Sequence, residues 1–491
     1  YVPGVFAHGG FPWSRVVSRM FMTDAGVFGT TITISSTYLF LFVLFGEFLA
    51  KSGVGDFFND FAFSLIGHRR GGPAQVSVIS SALMGTISGS SIANVATTGS
   101  FTIPLMKRIG YTPDFAGAVE ATASTGGMIM PPIMGAAAFL MAGFLGVPYT
   151  TIMVAGIIPA ILYYLSLLFV IDMEAQQRGL LGLPKSDLPK LWEVLRDKGY
   201  RVIPVLVIIY ALVTGLTAIT SAFAGLVSTV LVSLFNSKSR MGLKKIVEAL
   251  AGAGRSIVPI GLACAVVGII VGVTGMTALG SVVAYNMINL SRGVTLLALV
   301  FVLLASLVAS MGLPATACYV VVATIAAPAL VRMNIPPLAA HFFVFWFGCL
   351  SGITPPVALA SYTAAGIAGS NPNKVAMTAL RIAAPGFLLP FLLVYRPELL
   401  GLPAPMPRLV VSIGVAVLAC LSTACCTHGY FMGKLSLWER VLMGIGSVML
   451  VNPDMWSYVG VTVIACILVY RWYRARRGRT RTAGPQCEAC A

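Results

Sequence analysis

Long apolar stretches without charged residues alternate with short basic clusters along the chain. An α-helix rises 1.5 Å per residue, so about 20 apolar residues cross the hydrocarbon core of a bilayer. The pattern predicts helices that cross or nearly cross a membrane at residues 25–50, 113–146, 148–171, 202–217, 218–236, 256–278, 337–368, 376–395, 407–426, 438–452 and 456–471.

Two further apolar regions, residues 73–106 and 297–331, are interrupted in the middle. The sequence SGSS (residues 88–91) interrupts the first region, and SMGLP (residues 310–314) interrupts the second. Glycine and proline break helices, and backbone groups freed at membrane depth must find partners other than lipid. Each region therefore predicts a re-entrant hairpin, in which two half-helices meet at a tip of small residues.

The composition places these helices in a membrane. Of 491 residues, 57% are hydrophobic and only 10% are charged, whereas soluble domains carry about 25% charged residues. A chain this poor in charge cannot cover itself with a polar surface, so we expect an all-α polytopic membrane protein. The cysteines are scattered, and CEAC (residues 487–490) near the C-terminus is a weak metal or redox signal.

The net charge of +16 bears on the orientation of the helices. A nucleic acid is the first partner to weigh against such a charge, but the basic residues sit between apolar segments without interleaved aromatic residues. The positive-inside rule explains the basic clusters directly, because they collect on the side reached by the first span if each hairpin returns to its own side. We therefore expect this side, which also receives the Arg-rich C-terminal tail, to be cytoplasmic.

The chain contains an internal repeat. When residues 83–132 are shifted forward without a gap so that Pro104 falls on Pro328, identical residues coincide: Arg108 with Arg332, Pro113 with Pro337, Ile129 with Ile353, and Pro131-Pro132 with Pro355-Pro356. We call this superposition the repeat alignment. The charge asymmetry puts the two hairpins on opposite sides of the membrane, so the halves are inverted, as in many secondary transporters.

The repeat divides the chain into segments. The predicted organisation is an N-terminal amphipathic segment (1–24), a first repeat (25–172), a basic loop with linker helices (173–248), a second repeat (249–400), extra helices (401–472) and a basic disordered tail (473–491).

The tip of the first hairpin is expected to meet the break in the following helix, STGGMIMPP (residues 124–132). Carbonyls freed by the break and Ser or Thr hydroxyls are hard oxygen ligands that suit an alkali cation, and half-helix ends present N–H groups that favour an anion. The second half repeats the scheme with SMGLPATACY (residues 310–319) and SGITPPVALASY (residues 351–362). The alternative is that these glycines and prolines only kink and pack the helices.

Acidic residues are few, and Glu120 precedes 51 uncharged residues. An ionisable group at membrane depth is a functional candidate by default. Three roles are open for it: binding a cation, carrying a proton, or capping the interface near Pro113 and Asp114. Glu47 and Lys51 are spaced for an ion pair on a helix surface, and His341 is expected to be a packing histidine.

Motifs of common enzyme classes are absent from the sequence. Neither GxxxxGK[ST] nor HExxH occurs, which argues against ATP hydrolysis and zinc proteolysis by this chain. The apolar segments also lack a charged catalytic pair, so we expect no enzymatic activity. The alternative to a carrier is an ion channel, because the same hairpins could line a pore with hydroxyls and carbonyls.

Four segments resemble the large membrane subunit of tripartite ATP-independent periplasmic (TRAP) transporters, and most closely the TAXI-associated type, in which small and large membrane subunits are often fused. They are GTISGSSIANVATTGSFTIPLMKRIGY, EATASTGGMIMPPIMGAAAF, MGLPATACYVV and AAHFFVFWFGCLSGITPPVALASYTAAGIAG. The resemblance covers about Gly26 to Leu400. It implies an elevator-type carrier in a bacterial inner membrane, which takes organic acids from a periplasmic binding protein and uses a Na⁺ or H⁺ gradient without a further cofactor.

The resemblance also implies the sites, residue by residue. One cation site would use Ser88, Gly89, Ser90, Ser91, Asn94, Gly126, Gly127 and Met128. The other would use Gly312, Pro314, Thr316, Gly352, Ile353 and Thr354. Substrate would lie between the two tips, against Ser91, Thr125, Pro131, Thr316 and Pro355.

The chain departs from the family pattern in three places. The segment after residue 400 matches the shared motifs poorly. The family's small subunit of four helices would precede the large one in a fused chain, so we expect it as a separate chain or as a missing N-terminal part. Met130 stands where its repeat mate Thr354 offers a hydroxyl, so the two cation sites need not be equivalent.

Overall fold

The computed structural model describes residues 9–235, 240–311 and 313–482, with side chains described as far as Arg474. Within these ranges the regular secondary structure is helical, apart from an isolated β-bridge between Tyr430 and Lys434. The first eleven α-helices are α1 Trp13–Phe21, α2 Thr30–Ile34, α3 Phe40–Lys51, α4 Val54–Ile66, α5 Gly72–Gly85, α6 Ser91–Arg108, α7 Pro113–Gly126, α8 Ala136–Leu145, α9 Tyr149–Arg178, α10 Leu191–Lys198 and α11 Ile203–Val213.

The remaining α-helices are α12 Ala218–Ser233, α13 Leu243–Thr277, α14 Leu279–Leu290, α15 Thr295–Ala309, α16 Ala315–Arg332, α17 Pro337–Leu350, α18 Leu359–Ala368, α19 Pro372–Tyr395, α20 Met406–His428, α21 Leu437–Met449 and α22 Met455–Thr482. A π-helical turn, Ser35–Leu39, joins α2 to α3. Short 3-10 turns lie at Lys185–Asp187, Gly199–Val202, Ser351–Ile353 and Pro397–Leu400.

Seven helical segments in the described part of the chain are long and apolar enough to cross a membrane: Thr30–Lys51, Tyr149–Arg178, Leu243–Thr277, Ala315–Arg332, Pro372–Tyr395, Met406–His428 and Met455–Arg474. Shorter apolar helices fill the space between them. The prediction of an all-α polytopic membrane protein is therefore confirmed.

The helix boundaries of the two repeats coincide in the repeat alignment. Helices α6 and α7 begin and end at the positions that correspond to the bounds of α16 and α17. In each repeat a helical hairpin, α5–α6 or α15–α16, packs against itself and precedes a helix that breaks before a Pro-Pro pair. The peptide bond within each Pro-Pro pair is cis.

Local sequence explains where the hairpin helices begin. Gly71 adopts φ +64° immediately before α5, a conformation that costs glycine little. Ser90 caps α6, because its hydroxyl accepts a hydrogen bond from the Ala93 amide at 3.3 Å. Pro113 opens α7 at a position where a helix needs no N–H donor.

Several elements differ from the sequence prediction. Helices α4 and α14 were not expected, and α13 begins at Leu243 rather than at residue 256. The segments of α4 and of the start of α13 carry Asp, Lys or Glu residues, which end a charge-free stretch without ending a helix. Helix α14 lies within the charge-free residues 256–291 and is separated from α13 by Ala278, which adopts φ +52°. Helix α10 lies within the predicted basic loop, and α22 continues to Thr482, so the tail predicted to be disordered is helical over its first ten residues. Residues 483–491, including CEAC, lie outside the described residues.

The predicted surface pair of Glu47 and Lys51 is wrong. The Ser256 hydroxyl donates to Glu47 at 3.0 Å, and Lys51 lies 3.5 Å from the Glu248 carboxylate. Both partners lie on α13, so these polar groups join α3 to α13 instead of bonding along one helix. His341, by contrast, packs against Phe144 and shares a 2.9 Å hydrogen bond with the Tyr319 hydroxyl, as expected of a packing histidine.

Helix α7 lies at the centre of the described fold. Every residue from Phe115 to Gly126 is buried, and α5, α6, α9, α18 and α19 pack around the helix. Helix α18 belongs to the second repeat yet packs against α6 and α7 of the first. The two repeats therefore interlock, which brings the second break in the chain close to the first hairpin.

The C-terminal helices α20, α21 and α22 pack on α9 and α19 through α20. A buried polar group closes this contact: Arg396 donates to Ser457 at 3.1 Å, and Ser412 donates to Glu398 at 2.5 Å. Burial lowers the pKa of the Arg396 guanidinium, and the nearby Glu398 opposes that shift.

Candidate functional site

The tip of the first hairpin packs directly on the break that follows α7. A Cβ atom at Gly89 would lie 2.1 Å from the Met134 carbonyl oxygen, and one at Gly85 would lie 2.4 Å from the Gly127 Cα. No side chain fits at such distances, so the glycines allow backbone to meet backbone. The sequence expectation that this tip meets this break agrees with the described contacts.

The remaining tip residues take different roles. Ser88 and Gly89 are half-buried, whereas Ser90 is exposed and caps α6. Ser91 and Asn94 are buried, and the Asn94 amide donates to the Ser81 carbonyl at 3.0 Å. Asn94 thus fixes α6 onto α5 one turn below the tip.

Gly126 and Gly127 lie at the end of α7, where the helix breaks, and both pack closely against neighbouring segments. A Cβ at Gly126 would lie 2.5 Å from the Tyr163 ring and 2.9 Å from the Tyr164 ring. The hydroxyls of these tyrosines donate to the carbonyls of Thr122 and Ala123 at 2.9 and 3.0 Å. Helix α9 therefore caps the end of α7, and the packing interpretation holds for Gly126.

The break itself is closed by hydrogen bonds that the sequence did not reveal. The Met128 carbonyl accepts from the Gly135 amide at 2.7 Å. The Tyr149 hydroxyl lies 2.7 Å from the Pro132 carbonyl oxygen and 2.5 Å from that of Ile133. One buried phenol thus contacts two carbonyls that lie within the break and have no helical partner.

The second break reaches the first hairpin at Gly352. A Cβ at Gly352 would lie 3.4 Å from the Ser91 hydroxyl oxygen and 3.7 Å from that of Thr125. Ser91, Thr125 and Gly352 were all predicted as site residues, and the fold brings them together. Ile353 is fully buried, and the half-buried Thr354 donates its hydroxyl to the Leu350 carbonyl at 2.9 Å while keeping its lone pairs.

The other predicted residues are not among those that Gly352 approaches. At the start of α16, Pro314 is exposed and Thr316 is half-buried. The start of α16 packs near α17, because a Cβ atom at Gly348 would lie 3.3 Å from the Ala315 carbonyl oxygen. Pro131 packs towards Gly156 of α9, and Pro355 is half-buried. Gly312 lies outside the described residues.

Five hydroxyl groups surround the fully buried carboxylate of Glu120. Ser77 and Thr102 donate to its Oε2 atom, each at 2.5 Å. Ser81 and Ser124 donate to Oε1 at 2.9 and 3.2 Å, and Thr98 also donates to Oε1. We call this group the Glu120 cage: Glu120 with Ser77, Ser81, Thr98, Thr102 and Ser124.

The Glu120 cage excludes one of the three roles that the sequence left open. Its carboxylate is enclosed by α5, α6 and α7 and does not cap the membrane interface near Pro113 and Asp114. Hydrogen bonds to a charged group contribute about 1.5–3 kcal/mol each, which offsets the cost of burying the carboxylate. The sequence signal for the cage was the spacing of four residues between Ser77 and Ser81 and between Thr98 and Thr102.

The arrangement combines two chemistries within one bundle. Near Ser91, Thr125 and Gly352, small alcohols and backbone from both repeats converge where helices are broken. Below this point, the hydroxyl-bound carboxylate of Glu120 lies between the hairpin and the broken helix. Groups of this kind bind anions or hard cations and hold protons, and such sites in transporters lie between inverted repeats.

Comparison with known proteins identifies the family. Residues 4–402 match the family described as "Tripartite ATP-independent periplasmic transporter, DctM component". The "C4-dicarboxylate TRAP transporter large permease protein DctM" of Rhodobacter capsulatus is 30% identical over 195 residues, which cover 37% of this chain and 44% of the relative. The protein of the same name from Vibrio cholerae is 24% identical over 377 residues, covering 72% of this chain and 82% of the relative.

A third relative carries a different substrate in its name. The "Sialic acid TRAP transporter large permease protein SiaM" of Vibrio cholerae is 26% identical over 217 residues, which cover 42% of this chain and 49% of the relative. The matched segments thus span less than half the length of the Rhodobacter capsulatus permease and less than half the length of SiaM. Helices α20 to α22 lie beyond the family match. Since that match covers most of the chain, the chain belongs to the DctM component family, the large permeases of tripartite ATP-independent periplasmic transporters.

Proposed function

We propose that this protein is the membrane carrier of a secondary transporter that imports small organic acids delivered by a periplasmic binding protein. A Na⁺ or H⁺ gradient drives uptake, and the interlocked repeats move as an elevator. The observation that carries the proposal is the approach of Gly352 in the second repeat to Ser91 and Thr125 in the first. Substrate recognition at that point uses alcohols and backbone amides, which suit a carboxylate.

The proposal includes the setting of the carrier. It belongs to the TAXI-associated type, lies in the inner membrane of a bacterium with its C-terminal end in the cytoplasm, and works with a small membrane subunit of four helices. The names of the relatives make C4-dicarboxylates and sialic acid the first substrates to test. The coupling cation occupies the first hairpin tip and Gly127, with a second site near Thr354.

The test is uptake by proteoliposomes that contain the full chain with its small subunit and binding protein. Radiolabelled succinate and sialic acid serve as probes, and Na⁺ and pH gradients are applied separately. We expect saturable accumulation that requires the binding protein and one of the gradients. Ion currents through the chain alone, without accumulation of either probe, would instead establish the channel function and refute the carrier.

A further inference from the structure

The Glu120 cage has no counterpart in the second repeat. In the repeat alignment, Val344 stands at the carboxylate position, and the hydroxyl positions hold Phe301, Ala305, Val322, Ala326 and Gly348. Four of these residues, Phe301, Ala305, Val322 and Ala326, line an apolar cavity of about 150 Å³. The same helix boundaries therefore form without any polar cage, so the architecture does not require Glu120.

We infer that Glu120 binds and releases a proton that is coupled to transport, within the cage of five hydroxyls. The inference rests on the proposed function and adds a proton-binding group to the cation positions at the hairpin tips. A buried carboxylate is costly and, where helix packing does not need it, indicates a chemical role.

The geometry favours a proton over a metal ion at this position. Both carboxylate oxygens already accept hydroxyl groups at hydrogen-bonding distances, from 2.5 Å for Ser77 to 3.2 Å for Ser124. A metal ion at the same oxygens would have to displace several of these donors. A proton needs only one of them to become an acceptor, because each hydroxyl carries one hydrogen and two lone pairs.

The cage accommodates both charge states of Glu120 without a change of backbone. The Thr98 hydroxyl lies 2.9 Å from the Asn94 carbonyl oxygen, and the Thr102 hydroxyl lies 3.0 Å from the Thr98 carbonyl oxygen. When Glu120 is ionised, both threonines donate to it. When it is protonated, they rotate to these carbonyls, and Glu120 donates its own proton to a hydroxyl oxygen.

The charge state of Glu120 is linked to the closure of the hairpin. The donors come from α5 and α6 of the hairpin and from α7, so the ionised carboxylate ties the hairpin to the broken helix. Asn94 connects the cage to the tip, since its amide bonds Ser81 and lies 3.1 Å from a Cβ at Gly127. Protonation weakens this tie and favours the state in which the tip can move.

Titratable groups around the cage come from several helices. Helix α5 carries none, and α9 presents Tyr164, whose hydroxyl donates to the Ala123 carbonyl at 3.0 Å. On α6, Lys107 donates to the Ala368 carbonyl at 2.8 Å. The other titratable groups on these helices are Arg108 on α6, Asp114 on α7, Tyr149, Tyr163, Asp172, Glu174 and Arg178 on α9, Tyr362 on α18, and Lys374, Arg381 and Tyr395 on α19.

The direct test is infrared difference spectroscopy of the full chain in lipid vesicles as the pH is lowered. We expect the absorption band of a newly protonated carboxyl group to disappear in Glu120→Gln and to remain in the matched control Glu47→Gln. Glu120→Asp, which keeps a carboxyl group, is expected to restore the band with a shifted midpoint. A band that is unchanged in Glu120→Gln overturns the inference.

A transport assay is the second experiment, and it tests the role of Glu120 separately from the proposed carrier function. Two rates are measured with radiolabelled succinate: uptake driven by a pH gradient, and exchange of labelled for unlabelled succinate across the membrane. The ratio of the first rate to the second is expected to fall roughly tenfold in Glu120→Gln, within the usual range of coupling between two sites. Uptake that follows only the Na⁺ gradient and is insensitive to this substitution overturns the inference and leaves the carrier intact. If the unmodified chain transports neither succinate nor sialic acid, the carrier proposal fails, and the infrared band alone decides whether Glu120 binds a proton.

Discussion

The two repeats share their helix boundaries but differ in the side chains behind the hairpin tips. The first hairpin meets its broken helix through Gly85 and Gly89 and encloses a hydroxyl-bound carboxylate. The equivalent positions of the second hairpin are Ala309 and Leu313, and an apolar cavity lies behind that tip. The shared proline positions thus accompany the shared helix boundaries, whereas the unshared glycines and polar residues give each hairpin its own packing and chemistry.

The breaks themselves show the same requirement met in two ways. The carbonyl of the second proline accepts a tyrosine hydroxyl in both repeats, from Tyr149 for Pro132 and from Tyr362 for Pro356. These tyrosines are not at equivalent positions, since residue 373, the repeat mate of Tyr149, is an asparagine. A broken helix in a membrane must satisfy its freed carbonyls, and each repeat recruited a different residue to do so.

The largest expected effect comes from transferring the carboxylate to the second repeat. In Val344→Glu the new carboxyl group would lie among apolar side chains without the hydroxyl donors that Glu120 has, and we expect a loss of at least about 3 kcal/mol of folding free energy. Thermal unfolding of the purified protein in detergent measures the loss. The control Val344→Leu is expected to cost about 1–3 kcal/mol through overpacking alone; equal losses in both variants would contradict the comparison.

The next effect concerns the glycine at the first tip. Gly89→Ala places a methyl group against the Met134 carbonyl, so the tip must move away from the break. We expect a loss of about 1–3 kcal/mol in stability together with most of the uptake activity. Leu313→Val at the equivalent position is the control and is expected to cost under about 1 kcal/mol. Full activity in Gly89→Ala would show that the tip does not need this close contact.

A smaller effect is expected from the tyrosines that close the breaks. Tyr149→Phe removes the donor to two buried carbonyls and is expected to cost about 1–3 kcal/mol. Tyr362→Phe removes a comparable bond at an exposed site, where water replaces the hydroxyl, and is expected to cost about 0.5 kcal/mol or less. Thermal unfolding of the two variants side by side shows which substitution costs more folding free energy. A larger loss in Tyr362→Phe than in Tyr149→Phe would contradict the prediction.

The smallest effect on stability, with a measurable effect on transport, is expected at the cation positions. Ser91→Ala and Thr354→Ala each remove one hydroxyl that we propose as a cation ligand, and we expect each to weaken cation-driven uptake about fivefold, equivalent to about 1 kcal/mol. Uptake in proteoliposomes as a function of the external cation concentration measures the shift. Thr363→Ala is the control, since Thr363 donates to its own helix on an exposed face. Unchanged coupling in Ser91→Ala and Thr354→Ala removes these residues from the site.

The sequence predicted the positions of the breaks well because glycine and proline act locally. The repeat alignment, found from prolines and arginines, also predicted helix ends that coincide between α6 and α16. The sequence failed where it relied on charge to mark helix ends. Helix α4 contains Asp56 and Asp60, and α13 starts among lysines, yet hydrogen bonding along the backbone continues through such residues.

The candidate site was only partly visible in the sequence. The small-residue tip and the following break stood out, but the sequence did not reveal which groups face Glu120. The Ser77–Ser81 and Thr98–Thr102 pairs share helix faces at a spacing of four residues. Nothing local indicates that these two faces turn towards the same carboxylate.

By itself, the sequence determined that the chain is a membrane protein of helices with an internal repeat, because hydropathy, charge and helix-breaking residues act over short distances along the chain. Only the tertiary structure decided that Gly352 meets Ser91 and Thr125, and that hydroxyls from three helices enclose Glu120. Those contacts join residues far apart in sequence, and helix packing rather than local preference places them next to one another.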